Sequence, residues 1–223
     1  MSKRLYNVLR SLTKDEILKL SLKRCTHGHT FIEHPKCFER DTKIERIGFL
    51  DIEASNLKAD FGYVISYCIK ELDGPIDERL ITEKELRSKT KDKDLIEQLI
   101  SDMRKYTRII TYYGSGFDIP FIRTRATMWE LEFPLHREMY HTDAYFIIRN
   151  RFNLHRKKME TACSFFNIPC KQHPIVPGLW QDAMTGQKEA LQYILEHNRE
   201  DVISLELLFK RIENYTGINK TSI

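Results

Sequence analysis

Asp51 and Glu53 are two carboxylates separated by one apolar residue, and they follow the run Ile47-Gly48-Phe49-Leu50. That run has the composition of a strand buried on both faces. Alternate residues of a strand share a face, so the two acids point the same way. Carboxylates side by side repel, and neither ionises cheaply unless a cation lies between them. Hard oxygen donors of this kind suit Mg²⁺ or Mn²⁺. Taken alone, the pair reads first as a strand end with solvated acids, and what changes that reading lies further along the chain.

Three more groups of residues could do chemistry. Directly after the turn Gly114-Ser-Gly116 stands Phe117-Asp118, which places Asp118 at a helix start on the sheet edge where the Asp51 strand ends. As a first-turn acid, Asp118 could equally be satisfied by amides and the helix dipole. In His197-Asn-Arg-Glu-Asp201 the histidine and the aspartate are four apart, so on a helix they face one site together. The third group is Cys25, His27, His29, His34 and Cys37. Its spacing would allow a tetrahedral zinc site of Cys25, His29, His34 and Cys37, with His27 as competing ligand; the alternative is a plain surface loop.

These residues need elements to position them. Thr13-Lys-Asp-Glu16 is a capping box opening a short N-terminal helix. After the Asp51 strand, Asn56 to Gly62 reads as a turn, Tyr63 to Lys70 as a second strand and Arg79 to Thr82 as a third, giving an antiparallel meander. Lys84 to Asp94 is a charged connection or helix start, and Leu95, Ile96, Leu99, Ile100 and Met103 then recur at helical spacing. Arg108 to Tyr113 is a strand, and strand–helix–strand order implies a crossover and hence a parallel component in the sheet. A helix follows Asp118, and Met139 to Asp143 reads as a fifth strand with Asp143 as another acid at its end. Arg149, Arg151, Arg156, Lys157 and Lys158 are interleaved with Phe146, Phe152 and His155, which makes a solvated face or a groove that tracks phosphates. The last third is helical: Met159 to Phe166, a loop at Val176 to Trp180, then two helical patterns from Gln187.

Composition narrows the classes. A chain of 223 residues with 30% charged and 41% hydrophobic residues suits one soluble domain with its own core. The formal net charge of +4 suits a polyanionic partner. There is no internal repeat, no apolar run of membrane length and no secretory signal. Five cysteines, an odd number, fit reduced thiols and a cytoplasmic location.

Asp51 and Glu53 on a first strand, Asp118 after a glycine turn, and Asp201 four residues after His197 resemble the DEDD exonucleases. These are ribonuclease H-like 3′→5′ exonucleases, and the pattern is most similar to the exonuclease domain of family B DNA polymerases and its stand-alone relatives. The resemblance spans roughly residues 44 to 212 and implies an α/β, ribonuclease H-like fold. Its mixed five-stranded sheet would combine an antiparallel meander with parallel strands, flanked by helices. On this basis residues 1–43 form an N-terminal helical segment with a possible zinc loop, 44–215 the exonuclease domain and 216–223 a tail. Carried over by position, Asp51, Glu53, Asp118 and Asp201 would hold two Mg²⁺ or Mn²⁺ ions, with His197 as the base or orienting group. Asn56, Phe61, Tyr112, Tyr113, Arg149 and Arg151 would contact the nucleic acid, a single-stranded 3′ end with DNA favoured. This chain departs from the family in having Tyr113 where asparagine is common, and a histidine at a spacing that a tyrosine often occupies before the last aspartate. A structure-specific endonuclease on the same fold, or a nucleic-acid-binding or assembly module using the Cys/His loop, are the alternatives.

Overall fold

The structure, a computed structural model, describes residues 13–22, 24, 28–30, 33, 46–135, 138–170 and 177–215. Two compact units divide between Arg46 and Ile47. In the first, helix α1 (Lys14–Leu22) opens with the Ile17 amide donating to the Thr13 carbonyl at 3.0 Å. Arg24 and Thr30 then form an isolated antiparallel bridge around Gly28, whose φ of 80° lies in the left-handed region that glycine tolerates. Of the expected zinc ligands, His29 is described and exposed, while Cys25, His34 and Cys37, with the competing His27, lie outside the described residues. So does the tail from residue 216.

The second unit is built on a sheet of order β3-β2-β1-β4-β5. Strands β1 (Ile47–Ala54), β2 (Val64–Glu71) and β3 (Ile76–Leu80) form the expected antiparallel meander. After the short helix α2 (Glu83–Arg87) and helix α3 (Lys93–Met103), β4 (Arg108–Thr111) returns parallel to β1, and β5 (Tyr140–Asp143) is parallel to β4. The strand β1 is central because apolar side chains on each of its faces are packed into a separate core. Leu50, Ile52 and Ala54 join Leu95, Ile96, Leu99 and Ile122 in one core, and Phe49 joins Val202, Leu205 and Phe209 in another. Gly48 is required by this packing, since a Cβ there would come within 2.8 Å of Ile69 Cγ2 and 2.9 Å of Tyr106 Cγ.

Helix α4 (Asp118–Met128) follows the glycine turn after β4, and α5 (Ala144–Arg151) follows β5 directly. Helices α6 (Met159–Phe165), α7 (Pro177–Met184) and α8 (Lys188–Ile212) complete the unit. Three expectations change. The third strand runs over Ile76–Leu80 rather than Arg79 to Thr82, because Thr82 leaves the sheet to cap α2 in a reciprocal box with Glu85. The loop expected at Val176 to Trp180 is helical from Pro177, because proline is preorganised for the first helical position and lacks the amide that would be orphaned there. The two patterns from Gln187 are one helix of 25 residues. No described helix is long and apolar enough to cross a membrane.

Candidate active site

Helix α8 lies along β1 and runs against it. Phe209 meets the Phe49 ring edge-on at 5.8 Å, Asn198 bonds Asp51, and His197 approaches Glu53, so residue numbers rise on the helix as they fall on the strand. The face of β1 that carries Phe49 also carries Asp51 and Glu53, as strand alternation requires. The apolar contact at Phe49 therefore fixes the register at which the polar half of α8 meets the two acids.

His197 is buried, with Nε2 3.7 Å from Glu53 Oε1 and 3.9 Å from Asp201 Oδ2. Ligand atoms of Glu53, His197 and Asp201 all lie within 4.8 Å of one another. One position beyond the histidine, Asn198 Nδ2 donates to Asp51 Oδ2 at 3.1 Å and lies 3.3 Å from the Asp51 carbonyl oxygen. Asn198 was not among the residues singled out by spacing, although it precedes Asp201 by three and so shares its helix face.

Asp118 is the first residue of α4 and is buried. The last β1–β4 pair is Phe49 with Ile110, and past it β1 pairs only with β2. On that β4 side the Ile52 amide donates to Asp118 Oδ1 at 3.1 Å, so the aspartate is tied to the strand between Asp51 and Glu53. Burial pushes its carboxyl up to about 7, with Asp143 and Asp201 adding to the rise and the Ile52 and Asp118 amides opposing it. The turn that delivers Asp118 needs Gly114, because a Cβ at that position would overlap the Thr111 side chain.

Asp143, the acid at the end of β5, organises this turn. Its carboxylate accepts from the Tyr113 amide at 2.8 Å, the Ser115 amide at 2.9 Å and the Tyr145 amide at 3.1 Å, the last as N-cap of α5. Tyr113 is held at φ 65°, a left-handed conformation that asparagine adopts more readily than a bulky aromatic. Its ring is half-exposed and packs edge-on against Tyr145 at 5.0 Å.

The remaining expected contacts lie on the loop after β1, at the end of β4 and on α5. Asn56 is exposed and its Oδ1 accepts from the Lys58 amide at 3.1 Å, while Phe61 is 81% exposed in the loop after β1. Arg149 and Arg151 are exposed in the last turn of α5. Tyr112 is half-buried, and its hydroxyl donates to the Lys157 carbonyl at 2.5 Å, so that group is already committed within the fold.

The RNase_H superfamily model matches residues 48–213, which include every acid of this edge. The chain belongs to the RNase H superfamily. Its α/β architecture, a mixed five-stranded sheet flanked by helices, is that of the superfamily. A DNA polymerase of Methanocaldococcus jannaschii is 25% identical over 188 residues, 72% of this chain and 11% of the polymerase. The solved family B DNA polymerase of Pyrobaculum calidifontis superimposes with a TM-score of 0.62 at 16% identity, over 76% of this chain and 24% of that one. This RNase H-like chain thus spans only a small part of the polymerases it resembles.

Proposed function

We propose that the protein is a metal-dependent 3′→5′ exonuclease that hydrolyses phosphodiester bonds of nucleic acid, DNA favoured. The observation that carries this reading is the convergence of Glu53, His197 and Asp201 within 4.8 Å beside Asp51 and the buried Asp118. That many carboxylates at one sheet edge, one of them pushed up to about 7, is a donor set that a hard divalent cation would relieve. The similarity to two DNA polymerases supports a nucleic-acid substrate.

Asp51, Glu53, Asp118 and Asp201 would hold Mg²⁺ or Mn²⁺. Bound there, such ions supply stabilisation of the negative charge that develops on the attacking and leaving oxygens. The other roles fall to side chains of this chain. His197 Nε2, close to both Glu53 and Asp201, accepts a proton from the attacking water or orients it. Asn198 fixes the rotamer of Asp51, and the Ile52 amide fixes that of Asp118.

The test is digestion of 5′-labelled DNA and RNA oligonucleotides with Mg²⁺ or Mn²⁺. A ladder shortening from the 3′ end is expected. A single internal cut would replace the proposal with an endonuclease on the same fold, and intact substrate under all conditions would refute hydrolysis altogether.

A further inference from the structure

The segment between α5 and α6 is basic in sequence and braced in structure. Lys157 turns inward: its Nζ donates to the Phe152 carbonyl at 2.8 Å and to the Leu154 carbonyl at 3.0 Å. Its own carbonyl takes the Tyr112 hydroxyl, so the loop is tied to the residue that follows β4. With Lys157 used inside, its neighbours Arg156 and Lys158 face outward. Together with His155, Glu160 and the 67% exposed ring of Phe165 they line an open cavity of about 430 Å³.

We infer that this cavity is a subsite for single-stranded nucleic acid, taking a nucleotide of the substrate strand remote from the scissile bond. The inference rests on the proposed nuclease reading. Charge points to a polyanion, since Arg156 and Lys158 outnumber Glu160. The exposed ring points to an unpaired base, because every base has a face to stack on an aromatic side chain. The volume lies in the range of small-ligand pockets, large enough for one nucleotide. Continuity points the same way. Helix α6, which supplies Glu160 and Phe165, buries Ala162 and Cys163 in the core that Val202 and Leu205 of α8 share, immediately after Asp201. At its other end the loop is tied through Tyr112 to the chain beside Tyr113 and Asp143. The bracing also gives Tyr112 a role other than direct contact: it holds a cationic ledge in one shape, so less ordering entropy is lost when a strand binds.

The experiment compares wild type, the double variant Arg156→Ala/Lys158→Ala, and Phe165→Ala. Each is tested on a fluorescent single-stranded dT12 and on the minimal ester thymidine 5′-(p-nitrophenyl phosphate). Single-strand binding weakens with salt by about 0.7 logarithmic units per phosphate neutralised. Removing two cations should therefore lower the slope of log Kd against log salt by about 1.4, measured by anisotropy in EDTA. With Mg²⁺ or Mn²⁺, KM for dT12 should rise about tenfold or more in each variant while hydrolysis of the minimal ester is unchanged. An unchanged salt slope and unchanged KM in the double variant, with thermal unfolding as in wild type, would overturn the subsite. So would an equal loss on both substrates, which would mean damage to the catalytic edge. The EDTA binding arm needs no turnover, so it reads the subsite even if the protein hydrolyses nothing. A double variant that loses affinity equally for dT12 and a poly-glutamate peptide would also overturn it, in favour of nonspecific attraction of anions.

Discussion

Asp92 and Asp118 are both buried and both stand at helix starts, yet their surroundings are opposite. Asp92, at the N-cap position of α3, is surrounded by donors. Its Oδ2 accepts from the Val64 amide and Arg125 Nε, each at 2.9 Å, and its Oδ1 from Arg125 Nη2 at 2.5 Å and Trp129 Nε1 at 3.0 Å. Asp118 accepts from amides and is crowded by Asp143 and Asp201. A buried carboxylate satisfied on both oxygens by a guanidinium, an indole and an amide is a structural tie. One held only by amides and surrounded by other acids is suited to a cation that comes from outside the chain. The two are also linked, because Arg125 lies on α4, the helix that begins with Asp118. The satisfied acid thus holds in place the helix that presents the crowded one.

The sharpest way to break this comparison is to neutralise the crowded member. Asp118→Asn keeps an oxygen for the Ile52 amide and removes one charge from the cluster. Under the proposed function, hydrolysis should fall on the order of 10⁴-fold, as for removal of a group acting in a catalytic unit. The midpoint of thermal unfolding should stay level or rise, since repulsion is relieved. Activity within tenfold of wild type would remove Asp118 from the proposed ligands.

The converse substitution should show the opposite balance. Asp92→Ala leaves the Arg125 guanidinium, the Trp129 indole and the Val64 amide without their common acceptor. Breaking such a buried pair costs about 3–5 kcal/mol, which urea denaturation will read directly. Catalysis per folded molecule should change far less than in Asp118→Asn. A stability loss below about 1 kcal/mol would mean that the cage is replaced by solvent without penalty.

This contrast also divides what the chain disclosed in advance from what it did not. Asp51 and Glu53 share a face because strands alternate, and His197 and Asp201 share one because helices repeat, so each pair was legible from local periodicity. Four of the five strands were legible from composition and turn residues, while the third was placed too far along the chain, at Arg79 to Thr82, where Thr82 in fact caps α2. The Asp92 cage was not, because its bonds to Val64 and Arg125 cross 28 and 33 residues of sequence and depend on how α3, α4 and β2 pack. Asn198 and Asp51 are 147 apart, and nothing local joins them. Helix α8 misled for a physical reason. The polar run His197-Asn198-Arg199-Glu200 looked like a junction between two helices, but it is polar because that stretch meets Asp51, Glu53 and Glu78 while the helix continues. Asp143 read as one more acid at a strand end, and only the folded turn reveals the three amides it serves.

The smallest effect tests the comparison within one helix. Five residues after Asp201, Glu206 is buried among cations, with Lys70 Nζ at 3.0 Å and Lys210 Nζ at 2.9 Å, and it accepts from the Asp73 amide at 2.8 Å. Burial alone would raise its carboxyl, but the Asp73 amide, Lys210 and Lys70 outweigh it and hold the group below the ordinary glutamate range. A carboxyl depressed on folding contributes stability that is fully present above its unfolded pKa, about 4.3, and is lost as pH falls through the lower folded value. Glu206→Gln should therefore be less stable than wild type at pH 7, by about 1 kcal/mol for a charge-assisted group that is partly screened. The difference should close as the pH falls below about 4. The lysines stay charged over this range and other carboxylates titrate alike in both proteins, so the gap between two urea-denaturation series from pH 3 to 7 isolates Glu206. A gap as large at pH 3 as at pH 7 would show that Glu206 acts by shape and hydrogen bonding alone. The satisfied end of α8 would then owe its stability to packing, and charge pairing would no longer distinguish it from the acidic end.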